Sequence, residues 1–136
     1  MMKNIKNLTL IMAVVSVATI FTGCKKDETP VVVNPVIVVT SPSDGASMIS
    51  GSTVTLTFSA NTSNGIKRVV VKFKPATGSE TTKFDTVITA QPTSFSFSRN
   101  YTVGNIGTET YTIVVTDKSD NIETKSVNVK SITGFA

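Results

Sequence analysis

The amino-acid sequence predicts an all-β fold, a sandwich of seven antiparallel strands, and two observations carry this prediction. Between positions 36 and 130, apolar and polar side chains alternate in short runs rich in Val, Ile, Thr and Phe, which is the period of a β-strand. Clusters of Gly, Pro, Asn, Asp and Ser separate these runs at the spacing of about 8 to 12 residues that is typical of sandwiches. Helical periodicity is lacking after position 35.

Each predicted strand is a run of alternation bounded by turn residues. The clearest one buries Val54, Leu56 and Phe58 on one face, and Asn64-Gly65 after it predicts a tight hairpin. The seven strands are expected at 36–40, 53–60, 66–73, 83–89, 94–101, 109–116 and 122–130. We expect a core that includes Leu56, Phe58, Val71, Ile113 and Val115, with Thr55, Thr57 and Lys72 exposed.

Three segments resemble those of bacterial immunoglobulin-like (Ig-like) and fibronectin type III-like domains: 41–45 (SPSDG), 65–67 (GIK) and 111–117 (YTIVVTD). The resemblance spans positions 36 to 130 and implies a seven-stranded immunoglobulin-like antiparallel β-sandwich. The antibody disulfide and core Trp are missing, because the chain has one Cys and no Trp. Tyr111 is either a tyrosine corner, whose hydroxyl bonds upstream backbone, or a plain core tyrosine.

The N-terminus has the features of an export signal. Lys3 and Lys6 precede a run at 8–21 that carries no charge and is too short for a membrane-spanning helix. The sequence 21–24 (FTGC) resembles a bacterial lipobox, although Leu is usual where Phe stands. The resemblance implies cleavage between Gly23 and Cys24 and a diacylglycerol on the Cys24 sulfur. The alternative is an ordinary signal peptide with a Cys near its cleavage site.

The residues after the cysteine refine the predicted location. The segment 24–28 (CKKDE) resembles the start common among Bacteroidetes lipoproteins, which implies export to the outer face of the outer membrane. The alternative is a solvated charged spacer. Pro30 and Pro35 indicate a semi-stiff tether that could span some 30 Å. We therefore divide the chain into a signal peptide at 1–23, a lipidated tether at 24–35 and a domain at 36–136.

Composition excludes several classes of function. The net charge of +4 falls to +2 without Lys3 and Lys6 (11 Lys and Arg against 9 Asp and Glu), and the cations are scattered, so nucleic acid is not an expected partner. Catalytic triads that need His are excluded because the chain has none. The lipidation that the lipobox resemblance implies would occupy the one thiol. Because a glycine-rich phosphate loop is also missing, we predict a protein that is not an enzyme and has no cofactor besides the lipid.

Two polar groups offer binding sites, each beside a simpler explanation. The oxygens of Asp44, Asp117, Asp120 and Asn121 could bind calcium, but Asp and Asn in turns usually bond their own backbone, and we favour that alternative. A basic strand face could bind an anionic glycan or lipid headgroup, but such residues more often keep a sheet soluble. This face is formed by Arg68, Lys72 and Lys74.

The sequence thus predicts a surface-exposed lipoprotein whose domain is a non-catalytic binding or spacer module. Small Ig-like lipoproteins accompany polysaccharide-uptake systems in Bacteroidetes, so the resemblance implies a glycan or an outer-membrane protein as partner. The alternative is a structural or adhesive module for cell–cell or cell-wall contact. We expect the working end to lie away from the tether and to combine Asp44 with residues 117–121. Candidate exposed aromatics are Phe84, Tyr101 and Phe135.

Overall fold

The computed structural model describes residue 29 and residues 31–134. The predicted signal peptide, Cys24, most of the tether and Phe135 lie outside these residues. No helix in the described part of the chain is long and apolar enough to cross a membrane. The strands are β1 (Val36–Ser41), β2 (Ala46–Ile49), β3 (Thr53–Asn61), β4 (Ile66–Lys74), β5 (Thr81–Val87), β6 (Ser94–Thr102), β7 (Gly107–Asp117) and β8 (Ile122–Ile132).

The strands form two sheets, so the predicted Ig-like β-sandwich is confirmed. One sheet has the order β1-β3-β6 and the other the order β2-β8-β7-β4-β5. Most strands bury one face, while the edge strands β2 and β5 are only partly covered, and this is why the sequence alternates between apolar and polar residues. All pairs are antiparallel except β2 and β8.

The predicted count of seven strands is wrong by one, because β2 was not anticipated. The chain leaves the three-stranded sheet after Ser41, turns, and joins the other sheet at Ala46, which pairs in parallel with Val129. Gly45 makes this crossing possible with a φ of 76°, and its N–H donates to the Asn128 carbonyl at 2.8 Å. A strand of four residues is too short for alternation to reveal.

The core lies between the sheets and contains all five residues that the alternation predicted to be buried. At its centre Phe58 stacks on Phe97, with ring centroids 5.0 Å apart. Three positions expected to be exposed are instead half-buried, because cross-strand neighbours cover part of each side chain; they are Thr55, Thr57 and Lys72.

Strand direction gives the sandwich two different ends. The tether end comprises segment 31–35 and the turns at 62–65, 88–93 and 118–121, and the far end comprises the connections at 50–52, 75–80 and 103–106. The segment that precedes β1 contacts the sandwich. Pro35 is buried, and Asn121 donates from Nδ2 to the Val33 carbonyl at 3.5 Å, so this part of the tether belongs to the folded unit.

Candidate functional site

The hairpin between β7 and β8 is organised around the buried carboxylate of Asp117. Its Oδ1 accepts hydrogen bonds from the backbone N–H groups of Ser119 (2.8 Å) and Asn121 (2.9 Å). Its Oδ2 accepts from the side-chain amides of Asn121 (2.9 Å) and Asn64 (3.0 Å). Burial alone would raise the pKa of Asp117, but these donors lower it below the ordinary value. The carboxylate therefore links the turn between β3 and β4 to the hairpin between β7 and β8.

The other predicted calcium ligands are separated or already paired. Asp120 accepts from Lys67 Nζ at 2.6 Å, and Asp44 Oδ1 accepts from the backbone N–H (2.8 Å) and side-chain amide (3.1 Å) of Asn128. Asn128 pairs with Thr110, seven positions before Asp117 on β7. At about 3.4 Å per residue, roughly 24 Å of strand lies between Thr110, level with the Asp44 contact, and Asp117. The described residues contain no group of three or more metal-ligating side chains.

The expectation that Asp44 and residues 117–121 share a working end away from the tether is wrong. Strand β7 runs toward the tether end, because its last residue, Asp117, pairs with Ile66 at the start of β4. The hairpin that follows β7 therefore lies beside segment 31–35. Asp44 lies at the crossing between the sheets, where it bonds the middle of β8.

The predicted basic face on β4 is largely neutralised by neighbouring acids. Arg68 makes two hydrogen bonds with Asp85 on β5, at 2.9 and 2.6 Å, and this contact lowers the pKa of Asp85 and raises that of Arg68. Lys72 Nζ lies 3.2 Å from Glu80 Oε1. An anionic ligand would have to compete with both ion pairs.

Tyr111 is a core tyrosine and not a tyrosine corner. It is fully buried against the rings of Phe73 and Tyr101, with centroids at 5.1 and 5.5 Å, and its hydroxyl has no hydrogen-bond partner in the described structure. Burial raises the pKa of this phenol, and the nearby carboxyl of Glu109 raises it further.

Glu109 is a buried acid that sequence reasoning missed. Its Oε1 accepts from the Gly104 N–H at 2.7 Å, while Oε2 has no partner within the described residues. Burial raises the pKa of this carboxyl, and the bond from Gly104 opposes the rise. The alternation could have predicted its burial, because Glu109 lies on the same inward face of β7 as Tyr111 and Asp117.

The outer face of the three-stranded sheet is a surface of hydroxyl and amide groups without charge, which we call the hydroxyl face. Strands β3 and β6 pair along their full length, so their outward residues form continuous rows. Thr55 Oγ1 donates to Asn100 Oδ1 at 2.8 Å, and the hydroxyls of Thr57 and Ser98 lie 3.2 Å apart. The face comprises Thr40, Thr53, Thr55, Thr57, Ser59, Asn61, Ser94, Ser96, Ser98, Asn100 and Thr102, with Val36 and Val38 on β1.

A shallow depression of about 290 Å³ lies on this face. Thr40 lines it and donates from its hydroxyl to the Thr57 carbonyl at 3.2 Å. Its polar lining is Thr40, Thr57, Ser59, Ser96 and Ser98. Alternation gives β3 and β6 a polar face each, but only strand pairing makes them one surface.

Of the aromatic residues expected to be exposed, Phe84 and Tyr101 do not form a sugar-stacking platform. Phe84 packs its ring edge-on against Phe97 at 5.0 Å, and Arg99 lies 5.3 Å over the Phe84 ring. Tyr101 packs against Tyr111, and its hydroxyl is buried.

Comparison with known families identifies the domain. The profile of the bacterial Ig domain family matches residues 35–115, which is more than half of the chain. The chain belongs to the bacterial Ig domain family. The match begins at the buried Pro35, one residue before β1. No curated protein matches the chain significantly.

Solved structures of similar fold are distant in sequence from this bacterial Ig domain. The fibronectin(III)-like modules of Clostridium thermocellum CbhA share 16% identity at a TM-score of 0.50, over 75% of this chain and 48% of theirs. The chain thus spans about half the length of those modules. The superoxide reductase of Ignicoccus hospitalis shares 8% identity at a TM-score of 0.51, over 73% and 80% of the two chains. These similarities support the fold alone.

Proposed function

We propose that this chain is a surface lipoprotein, anchored through lipid on Cys24, whose Ig domain binds a neutral glycan through the hydroxyl face. The observation that carries the binding proposal is the pairing of β3 and β6, which joins two rows of Ser, Thr and Asn into one surface. The domain acts by binding and positioning, without catalysis.

The chemistry of the face suits a neutral polysaccharide. Hydroxyl groups both donate and accept hydrogen bonds, as sugar hydroxyls do, and the side-chain amides of Asn61 and Asn100 add further donors and acceptors. The face carries no charge that would select an anionic or cationic ligand. Because it lacks a stacking aromatic, binding to one sugar unit should be weak, and affinity should increase with the number of units in contact.

The rest of the described domain supports a role without catalysis. The carboxylates of Asp117 and Asp85 are held by hydrogen bonds or ion pairs, and no metal-ligating cluster is present in the described ranges. Glu109 is buried under Gly104, where a substrate could not reach it without opening the sandwich. The chain has no His to act as a general base near neutral pH.

The anchor proposal is supported by the N-terminal sequence. The only cysteine of the chain stands where the apolar segment ends, and the charged residues at 25–28 follow it directly. Two or more acyl chains on one protein give stable attachment to a bilayer, because each buried methylene contributes about 0.8 kcal/mol.

The binding proposal is tested on the soluble chain from residue 25, since Val31–Ala136 forms one compact unit with its own core. Glycan-array binding is compared between the double variants T57V/S98A and T112V/S126A. The second is a matched control, because Thr112 and Ser126 form an equivalent hydroxyl pair at 3.2 Å on the other sheet. We expect only T57V/S98A to lose binding. Equal binding by both variants, or no bound glycan at all, would contradict the proposal and favour a spacer or adhesive role.

A further inference from the structure

The exposed large aliphatic side chains of the domain are concentrated near one end. Of nine such residues in the described structure, only Ile49 and Ile106 lie toward the far end. The other seven lie in the half of the sandwich nearer the tether: Val31, Val32, Val33, Val36, Val38, Val87 and Ile122. Scattered surface aliphatics are ordinary, but a concentration of this kind marks an interaction surface.

Five of these side chains form what we call the aliphatic rim: Val31, Val32, Val33, Val36 and Ile122. Their exposed fractions range from 46% for Val33 to 86% for Val31. Val36 and Ile122 begin β1 and β8, which belong to different sheets, so the rim extends across both layers. The buried Pro35 and the bond from Asn121 to the Val33 carbonyl hold the segment at this end.

The position of Cys24 in the chain indicates what covers the rim. The chain takes seven residue-to-residue steps from Cys24 to Val31 (31 − 24), and a fully extended chain reaches at most about 3.6 Å per step. A lipid on Cys24 therefore keeps Val31 within roughly 25 Å of the bilayer surface. Because the anchor would hold the rim this close, the bilayer is the apolar surface that the rim would contact most often.

We propose that the aliphatic rim docks on the lipid surface, so that the domain stands on the bilayer with its strands pointing away from it. This inference rests on the proposed anchor at Cys24. Aliphatic side chains at the headgroup boundary add to the lipid attachment, and contact across both layers resists tilting. The hydroxyl face would then run from the membrane outward, and the far-end connections would be the most distant from it.

Tryptophan fluorescence tests the docking, because the chain contains no Trp. The variants V32W and I122W place an indole in the rim, and I106W is a matched far-end control, since Ile106 is 61% exposed and Ile122 58%. Each acylated protein is reconstituted into vesicles of phosphatidylethanolamine and phosphatidylglycerol that carry brominated acyl chains. We expect blue-shifted, strongly quenched emission from V32W and I122W, and unquenched emission from I106W.

The outcomes separate the docking from the anchor. Acyl chains on Cys24 are verified by mass spectrometry, and attachment by flotation with the vesicles. A protein without acyl chains overturns the anchor and with it the docking. An acylated protein that floats, but whose V32W and I122W variants are quenched no more than I106W, overturns the docking alone. A blue shift that depends on protein concentration and not on brominated lipid would assign the rim to a second copy of the chain, and would also overturn the proposal.

Discussion

The Asn64 side chain donates a 3.0 Å hydrogen bond to the buried carboxylate of Asp117, and this contact joins the β3–β4 turn to the β7–β8 hairpin. The residues are 53 positions apart in the sequence. The turn and the hairpin meet because Ile66 pairs with Asp117 at the tether end. Residues that looked like calcium ligands thus stabilise the end of the sandwich to which the tether leads.

Removing this carboxylate should destabilise the domain. We expect D117A to lower the free energy of unfolding by about 2 to 5 kcal/mol, because buried donors on Asn64 and Asn121 lose their acceptor. D120N is the matched control in the same hairpin, because Asn also tolerates the left-handed backbone of this position (φ 63°). It loses only the surface ion pair with Lys67, so its cost should stay below about 1 kcal/mol. Urea denaturation measures both, and equal costs for the two variants would contradict the proposed role of Asp117.

Glu109 should make the free energy of unfolding fall as pH rises, whereas Asp117 should make it rise. Burial raises its folded-state pKa, so the folded protein binds this proton more tightly than the unfolded chain does. Its contribution is favourable below the unfolded pKa of about 4.3 and is lost as pH rises toward the folded pKa. The melting temperature of E109Q minus that of the wild type should therefore increase between about pH 4 and pH 7. Thermal melts across this range test the prediction, with E123Q on β8 as the control, and a constant difference would refute it.

The aromatic centre of the core should be sensitive to truncation. We expect F58A to lower the free energy of unfolding by roughly 3 to 5 kcal/mol, since it removes a buried ring that stacks on Phe97. T55A, at a neighbouring outward position of the same strand, loses only its hydrogen bond to Asn100 and should cost about 0.5 to 1 kcal/mol. Chemical denaturation gives both values, and a small cost for F58A would argue against the packing described.

Lipidation should depend entirely on Cys24. We expect C24S to accumulate as an unprocessed precursor that incorporates no labelled fatty acid. The thioether to the lipid needs a cysteine sulfur, and Cys24 is the only cysteine of the chain. Metabolic labelling followed by electrophoresis measures both effects against the wild type. Labelling of C24S at the wild-type level would exclude the lipoprotein assignment.

The strand faces could be predicted from the sequence because alternation depends on neighbouring residues alone. Val54, Leu56 and Phe58 are buried as their spacing indicates, and the same parity applied to β7 would have placed Glu109 and Asp117 inside. Strand β2 escaped prediction because its four residues pair with β8, more than 80 positions later, and local sequence does not report such a partner.

The sequence by itself determined which residues point into the sandwich, where most turns fall and which cysteine is available for lipid, because these properties are local. Only the tertiary structure decided which turns share an end and which rows share a surface. Asp44 and Asp117 are separated because the chain crosses between sheets midway along β8, and Asp117 meets Asn64 because β7 runs back along β4. The hydroxyl face likewise exists because long-range hydrogen bonding sets β6 beside β3. Which distant strands pair depends on the packing of the whole domain, and local sequence patterns do not specify it.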